Sequence, residues 1–82
     1  MNTSSIVSKS VLVLNVICSS QERLSFSQIV DAVGLPKSST HRILSILREE
    51  GLITLDPVRN IFSPGPTLTD WATSVFMAGG LT

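Results

Sequence analysis

Six consecutive side chains, Lys37, Ser38, Ser39, Thr40, His41 and Arg42, put two cations, three hydroxyls and an imidazole into less than two helical turns. Nearly all of them can donate hydrogen bonds, and none is a carboxylate. Such a set suits an anionic, acceptor-rich surface. Arg in particular can reach O6 and N7 of guanine with two bonds, while Lys, Ser and the unpaired N–H groups of a first helical turn suit phosphates. The same hydroxyls could simply cap the helix, and the two uses are compatible. His41 can donate to a phosphate or touch a base, or it can be a solvated or N-terminally packed side chain. A hydrolase reading of Ser38 with His41 lacks any oxyanion-hole signature, so no enzymatic activity is expected. Cys18 is the single cysteine and His41 the single histidine, which excludes an intrachain disulfide and leaves too few ligands for structural zinc. No metal and no cofactor is implied.

The flanking residues place this set at the start of a helix. Gly34 ends a preceding helix in the left-handed conformation, Leu35 anchors the turn, and Pro36 suits a first helical turn because its missing N–H would have no partner there. A helix is predicted over 36–50, closed by Gly51. Stepping about 100° per residue from Thr40 gathers Ile43, Leu44, Leu47 and Gly51 on one face. Ser38, Arg42, Ser45 and Glu49 fall opposite, with His41 near one edge. Between Ala32 and Arg48 the charged residues are Lys37, Arg42 and Arg48, with no acid among them, although the whole chain has zero formal net charge. Glu49 and Glu50 then follow, so only the N-terminal half of this helix is suited to enter a DNA groove.

Upstream, residues 5–19 are nearly all apolar or small. Val7, Val11, Leu14 and Cys18 share one stripe, predicted to be the core face of a first helix, while Leu12 and Val16 land on the opposite side. This helix is either buried under the rest of the domain or used in a dimer contact. An extended piece over 24–26 precedes Ser27, a candidate N-cap, and a second helix running to about Val33 with Ile29, Val30 and Val33 on its apolar edge. Downstream, "LITL", the turn "DPVRN" and "IFS" read as a hairpin. Its Arg59 offers a contact to the DNA backbone or minor groove, against the alternative of a solvated turn. Thr67 and Asp70 resemble a capping box opening a fourth helix, about 68–78, whose Leu68, Trp71, Ala72, Val75 and Phe76 share a face. The tail "AGGLT" reads as flexible.

The 82 residues make one small domain with a thin core, and a 43% hydrophobic content argues against disorder. No run is apolar over the ~20 residues a membrane span requires, and the N-terminus does not read as a secretory signal, so a cytoplasmic location is expected. The predicted class is mainly α: a winged helix-turn-helix with a three-helix core, a two-stranded wing and a C-terminal linker helix.

With these residues in place, the chain resembles the DNA-binding domain of IclR-type bacterial transcriptional regulators over nearly its whole length. "SKSVLVLNVI" is similar to that family's first helix, "LSFSQIVDAVGLPKSSTHRILSILREEGLI" to its helix-turn-helix, and "FSPGPTLTDWA" to its wing strand and linker helix. Pro64 departs from an apolar residue common before the Gly. Leu12 lies where the first helix usually turns a polar side outward, which favours an intermolecular contact. The resemblance implies a DNA-binding domain over 1–66, with its helix-turn-helix at about 27–45, and a linker helix over 67–82. The helix over 36–50 would be the recognition helix. The resulting contact set is Ser27, Lys37, Ser38, Ser39, Thr40, His41, Arg42, Ser45 and Arg59. The implied partner is a palindromic double-stranded operator bound by a homodimer formed through the first helix and the linker helix. A small-molecule effector, often an organic acid in the family, would bind only through a further domain not in this sequence. The alternative is a winged-helix protein-interaction module that binds no DNA, a reading supported by the zero net charge.

Overall fold

The computed structural model describes residues 3–79. The element order is α1 (Thr3–Ser19), β1 (Leu24–Ser25), α2 (Phe26–Val33), α3 (Lys37–Glu49), β2 (Ile53–Asp56), β3 (Ile61–Pro64) and α4 (Pro66–Met77). The tail residues 80–82 lie outside the described residues.

α1, α2 and α3 pack around one cluster of Val13, Ile17, Ile29, Val33, Ile43, Leu44 and Leu47, closed below by Ile53 and Phe62 of the hairpin. Burying branched aliphatic side chains from α1, α2, α3 and β2 together is what a domain this small needs, since each fully buried one contributes roughly 1.5–3 kcal/mol. α1 corrects the sequence expectation. Its buried residues are Val13 and Ile17, with Leu14 and Val16 packed against the cluster, whereas Val7 and Val11 are 63% and 57% exposed and Cys18 is exposed too. Val13 and Ile17 lie on neither of the two stripes read from the sequence but between them, with Leu14 and Val16 at the edges of the buried face.

The turn between α2 and α3 follows the expectation from the sequence at Gly34, whereas Pro36, at φ −56° and ψ 149°, is the N-cap of α3 rather than part of its first turn, so the helix runs over Lys37–Glu49 and not 36–50. Gly34 adopts φ 71°, a left-handed conformation that costs a glycine nothing, and its N–H donates to the Val30 carbonyl oxygen at 3.1 Å. α2 begins two residues earlier than expected, because Ser25 rather than Ser27 is its N-cap. The Ser25 hydroxyl accepts from the Gln28 N–H at 3.3 Å, and the Gln28 side-chain oxygen accepts from the Ser25 N–H at 2.9 Å, a reciprocal capping box.

The sheet has three strands in the order β1-β3-β2: the two strands of the expected wing, and the extended piece expected over 24–26, which is β1. β1 adds antiparallel to β3, pairing Leu24 with Phe62 and Ser25 with Ile61, so the segment that caps α2 also fastens the hairpin to the helical core. The hairpin turn carries Asn60 at φ 61° and is closed by the Asn60 N–H donating to the Asp56 carbonyl oxygen at 2.7 Å. α4 also departs from expectation. Gly65 is its N-cap and Pro66 opens its first turn, while Thr67 makes no cap; its hydroxyl donates instead to the Glu50 carbonyl oxygen at 2.9 Å. α4 buries none of its residues.

Candidate nucleic-acid interface

α3 is fixed from beneath. Ile43, Leu44 and Leu47 are buried, and Thr40 is fully buried with its hydroxyl donating to the Pro36 carbonyl oxygen at 3.0 Å. Thr40 therefore has no surface to offer DNA and leaves the candidate contact set: it holds the first turn of α3 down, and its place belongs with Ile43 and Leu47. No side chain caps the start of α3.

Above this anchor, Lys37, Ser38, His41 and Arg42 are exposed, and Ser39 and Ser45 are half-buried. They divide between two flanks of one helix. Arg42 and Ser39 border a hollow toward α1, shared with Lys9, Ile6, Ile43 and Ile46. His41 and Ser45 border a second hollow toward the hairpin, together with Arg48 and Asn60. Ser38, on neither hollow, is exposed at the N-terminal end. The His41 ring also meets Phe26 at the start of α2, with centroids 6.1 Å apart and planes at 77°, an edge-on packing that orients the imidazole while leaving the residue exposed. Ser27 is exposed in the first turn of α2.

The hairpin tip is organised by Asp56. One of its carboxylate oxygens accepts from the Val58 N–H at 2.9 Å and from the Arg59 N–H at 3.2 Å. These two backbone bonds, aided by the nearby Arg59 and Arg23 cations, hold its carboxyl below the usual carboxylate range. Arg59 is exposed at the tip, but Asn60 is the tip residue that lines the hollow against α3. Arg48 and Asn60 are absent from the set read off the sequence. For Arg48 the signal was present: it follows His41 and Ser45 at helical spacing, on the same edge of α3. For Asn60 it was the combination of a turn position with a residue type that tolerates the left-handed conformation.

Among the described residues no three metal-ligating side chains come together, and no helix is long and apolar enough to cross a membrane.

Two helices joined through a Gly-Leu-Pro turn, the second presenting an outer face that is acid-free as far as Arg48, and a β-hairpin directly after it define a winged helix-turn-helix domain. The family model of the IclR helix-turn-helix domain matches residues 6–57. A regulator of Mycobacterium tuberculosis (strain ATCC 25618 / H37Rv), the HTH-type transcriptional regulator Rv1719, is 31% identical over 70 residues, covering 85% of this chain and 27% of its own length. The repressor BlcR of Agobacterium tumefaciens has the same fold, with a TM-score of 0.76 and 22% identity over 88% of this chain and 28% of that one. An IclR transcriptional regulator of Alicyclobacillus acidocaldarius superimposes with a TM-score of 0.77 and 24% identity, over 84% of this chain and 28% of that one. The chain belongs to the IclR helix-turn-helix family, and it spans little more than a quarter of the length of these relatives.

Proposed function

We propose that the chain binds double-stranded DNA sequence-specifically to regulate transcription, with the N-terminal half of α3 in the major groove. The observation that carries this reading is the pairing of a locked underside with an exposed upper face that is acid-free as far as Arg48. Thr40, Ile43, Leu44 and Leu47 fix the helix so that Ser38, His41 and Arg42 project from a rigid support. Arg42 is the base reader; Lys37, Ser38 and Ser39 hold a phosphate at the uncapped helix start; His41 and Ser45 contribute toward the hairpin. Ser27 meets the backbone from the start of α2, and Arg59 meets the backbone or minor groove from the wing.

A palindromic operator requires two copies. The exposed apolar residues Ile6, Val7 and Val11 of α1, and Trp71, Val75 and Phe76 of α4, support a homodimer built through these two helices. In this reading residues 1–66 form the DNA-binding domain and 67–82 the linker helix toward an effector-binding domain, in a cytoplasmic regulator that performs no catalysis itself.

The test is binding of the chain to duplex DNA across a salt series, because each neutralised phosphate contributes about −0.9 to the log–log slope. Arg42→Ala is expected to relax preference at one base position at a cost of roughly 1–3 kcal/mol, whereas Arg59→Ala weakens selected and random duplexes alike. A slope near zero refutes DNA binding and leaves the protein-interaction reading, which the exposed apolar faces of α1 and α4 would then carry. Equal effects of Arg42→Ala on selected and random DNA refute its role as a base reader.

A further inference from the structure

The hollow between α3 and the hairpin is a cleft of about 250 Å³. Its floor is apolar, formed in part by Phe26 and Phe62, and its rim carries His41, Ser45 and Arg48 from successive turns of α3 and Asn60 from the hairpin tip. No carboxylate lines it. Asn60 is placed by the backbone rather than left to a loose loop: its left-handed φ of 61° and its 2.7 Å bond to the Asp56 carbonyl oxygen set where its amide projects. Beyond Arg48 the surface changes sign, since Glu49 borders the neighbouring hollow with Ser45 and Arg48.

We propose that this cleft seats one sugar–phosphate segment of a DNA strand, with Arg48 as the cation that positions the phosphate and Asn60 as a second donor. The proposal rests on the DNA-binding reading above and adds to it a site for the strand that runs between α3 and the hairpin. Phosphate oxygens only accept hydrogen bonds, and the rim supplies donors from both walls. The planar guanidinium of Arg48 can meet two phosphate oxygens at once, and its charge acts more strongly over an apolar floor than in bulk water. The same floor fits the carbon face of a deoxyribose. Glu49 then limits the cleft to a single strand, because a phosphate displaced toward the C-terminal end of α3 would meet negative charge. Arg48 and Asn60 therefore fix register on the duplex, and Arg42 reads sequence from the opposite flank of the helix.

The experiment measures binding of the chain and of Arg48→Gln, Arg48→Lys and Asn60→Gly to a duplex selected from a random pool and to a random-sequence duplex, each across a salt series. Arg48→Gln is expected to make the log–log slope shallower by about 0.9 and to weaken both duplexes by the same factor, roughly tenfold, with base preference unchanged at every position. Arg48→Lys keeps the slope and regains part of the affinity. Asn60→Gly, which preserves the left-handed turn, weakens both duplexes without changing the slope. Arg48→Gln with wild-type slope and affinity overturns the proposal while leaving DNA binding by the wild type in place. Loss of preference at one base position also overturns it, because Arg48 would then be a base reader. A wild-type chain without salt-dependent binding overturns this proposal and the DNA reading together.

Discussion

Gly65→Ala is expected to be among the most damaging single-methyl additions to this domain. Gly65 is buried where β3 gives way to α4, and a Cβ there would lie 2.9 Å from the Ile53 amide nitrogen, 3.0 Å from the Gly51 carbonyl carbon and closer still to the Gly51 carbonyl oxygen. All three neighbours are backbone atoms of the segment entering β2, so no side chain can swing aside. Reaching ordinary contact requires the two segments to separate by roughly 0.5–1 Å. Two hydrogen bonds span that gap: the Gly65 N–H donates to the Leu52 carbonyl oxygen at 2.8 Å, and the Thr67 N–H donates to the Gly51 carbonyl oxygen at 3.0 Å. Overpacking of this kind costs about 1–3 kcal/mol, and weakening the two bonds adds about 0.5–1 kcal/mol each, for a total of about 2–5 kcal/mol. A domain of this length has a stability of about 4–12 kcal/mol, so the loss is a large fraction of the whole. Thermal unfolding followed by circular dichroism should show a midpoint lowered by roughly 10 °C or more. Gly34→Ala is the control. Nothing lies within 4 Å of a Cβ at Gly34, so its cost is only the left-handed conformation at φ 71°, roughly 1–2 kcal/mol. A Gly34→Ala penalty equal to or larger than that of Gly65→Ala would refute the argument from backbone proximity.

Val13→Ala, at a fully buried position, should destabilise the domain by about 2 kcal/mol in denaturant titrations, whereas Val11→Ala, at a 57% exposed position, should stay within about 0.5 kcal/mol in dilute protein. Reversal of that order would restore the α1 face expected from the sequence. Asp56→Ala should destabilise the hairpin at neutral pH, read by amide hydrogen exchange. Because the folded carboxyl is held below its ordinary value of 3.8, wild-type Asp56 contributes its stabilisation above that value and loses it as the pH falls through the lower folded value. The difference between the two proteins should therefore shrink under acid conditions, and a gap independent of pH would show that the Asp56 carboxylate does not hold the turn.

The sequence made the turn and α3 legible because their signals are local and agree. Gly34 takes the left-handed position that ends α2 and Pro36, two residues on, starts α3, while Ile43, Leu44 and Leu47 repeat on one face of a mostly polar helix. α1 was illegible in its orientation because apolar residues occur all round it, and only contact with α2 and α3 decides that Val13 and Ile17, on neither of the stripes read from the sequence, go inward. The extended piece at Leu24 was readable, but its place in the sheet was not, because its partners Phe62 and Ile61 are distant in sequence. The capping box of α2 was readable as Ser25 with Gln28 three residues on, but Ser27 is an equally good cap by type. Thr40 shows a conflict between two kinds of inference: helical angle grouped it with Ile43 and Leu47, while family resemblance carried it into the contact set. The angle gave the correct result. Of the interface, the exposed set Ser38, His41 and Arg42 was readable from α3 alone; Arg48 and Asn60 acquire meaning only once the hairpin folds back beside the helix.

The hydrogen bonds at the start of α4 also have a mechanical side. α4 buries no residue of its own, and its first turn is tied to the rest of the domain at Glu50, Gly51 and Leu52. Those three residues follow directly on the last turn of α3. A torque applied to the C-terminal end of α4 thus enters the domain beside the C-terminus of α3, and the lever arm ends on the helix that carries Arg42 and Arg48.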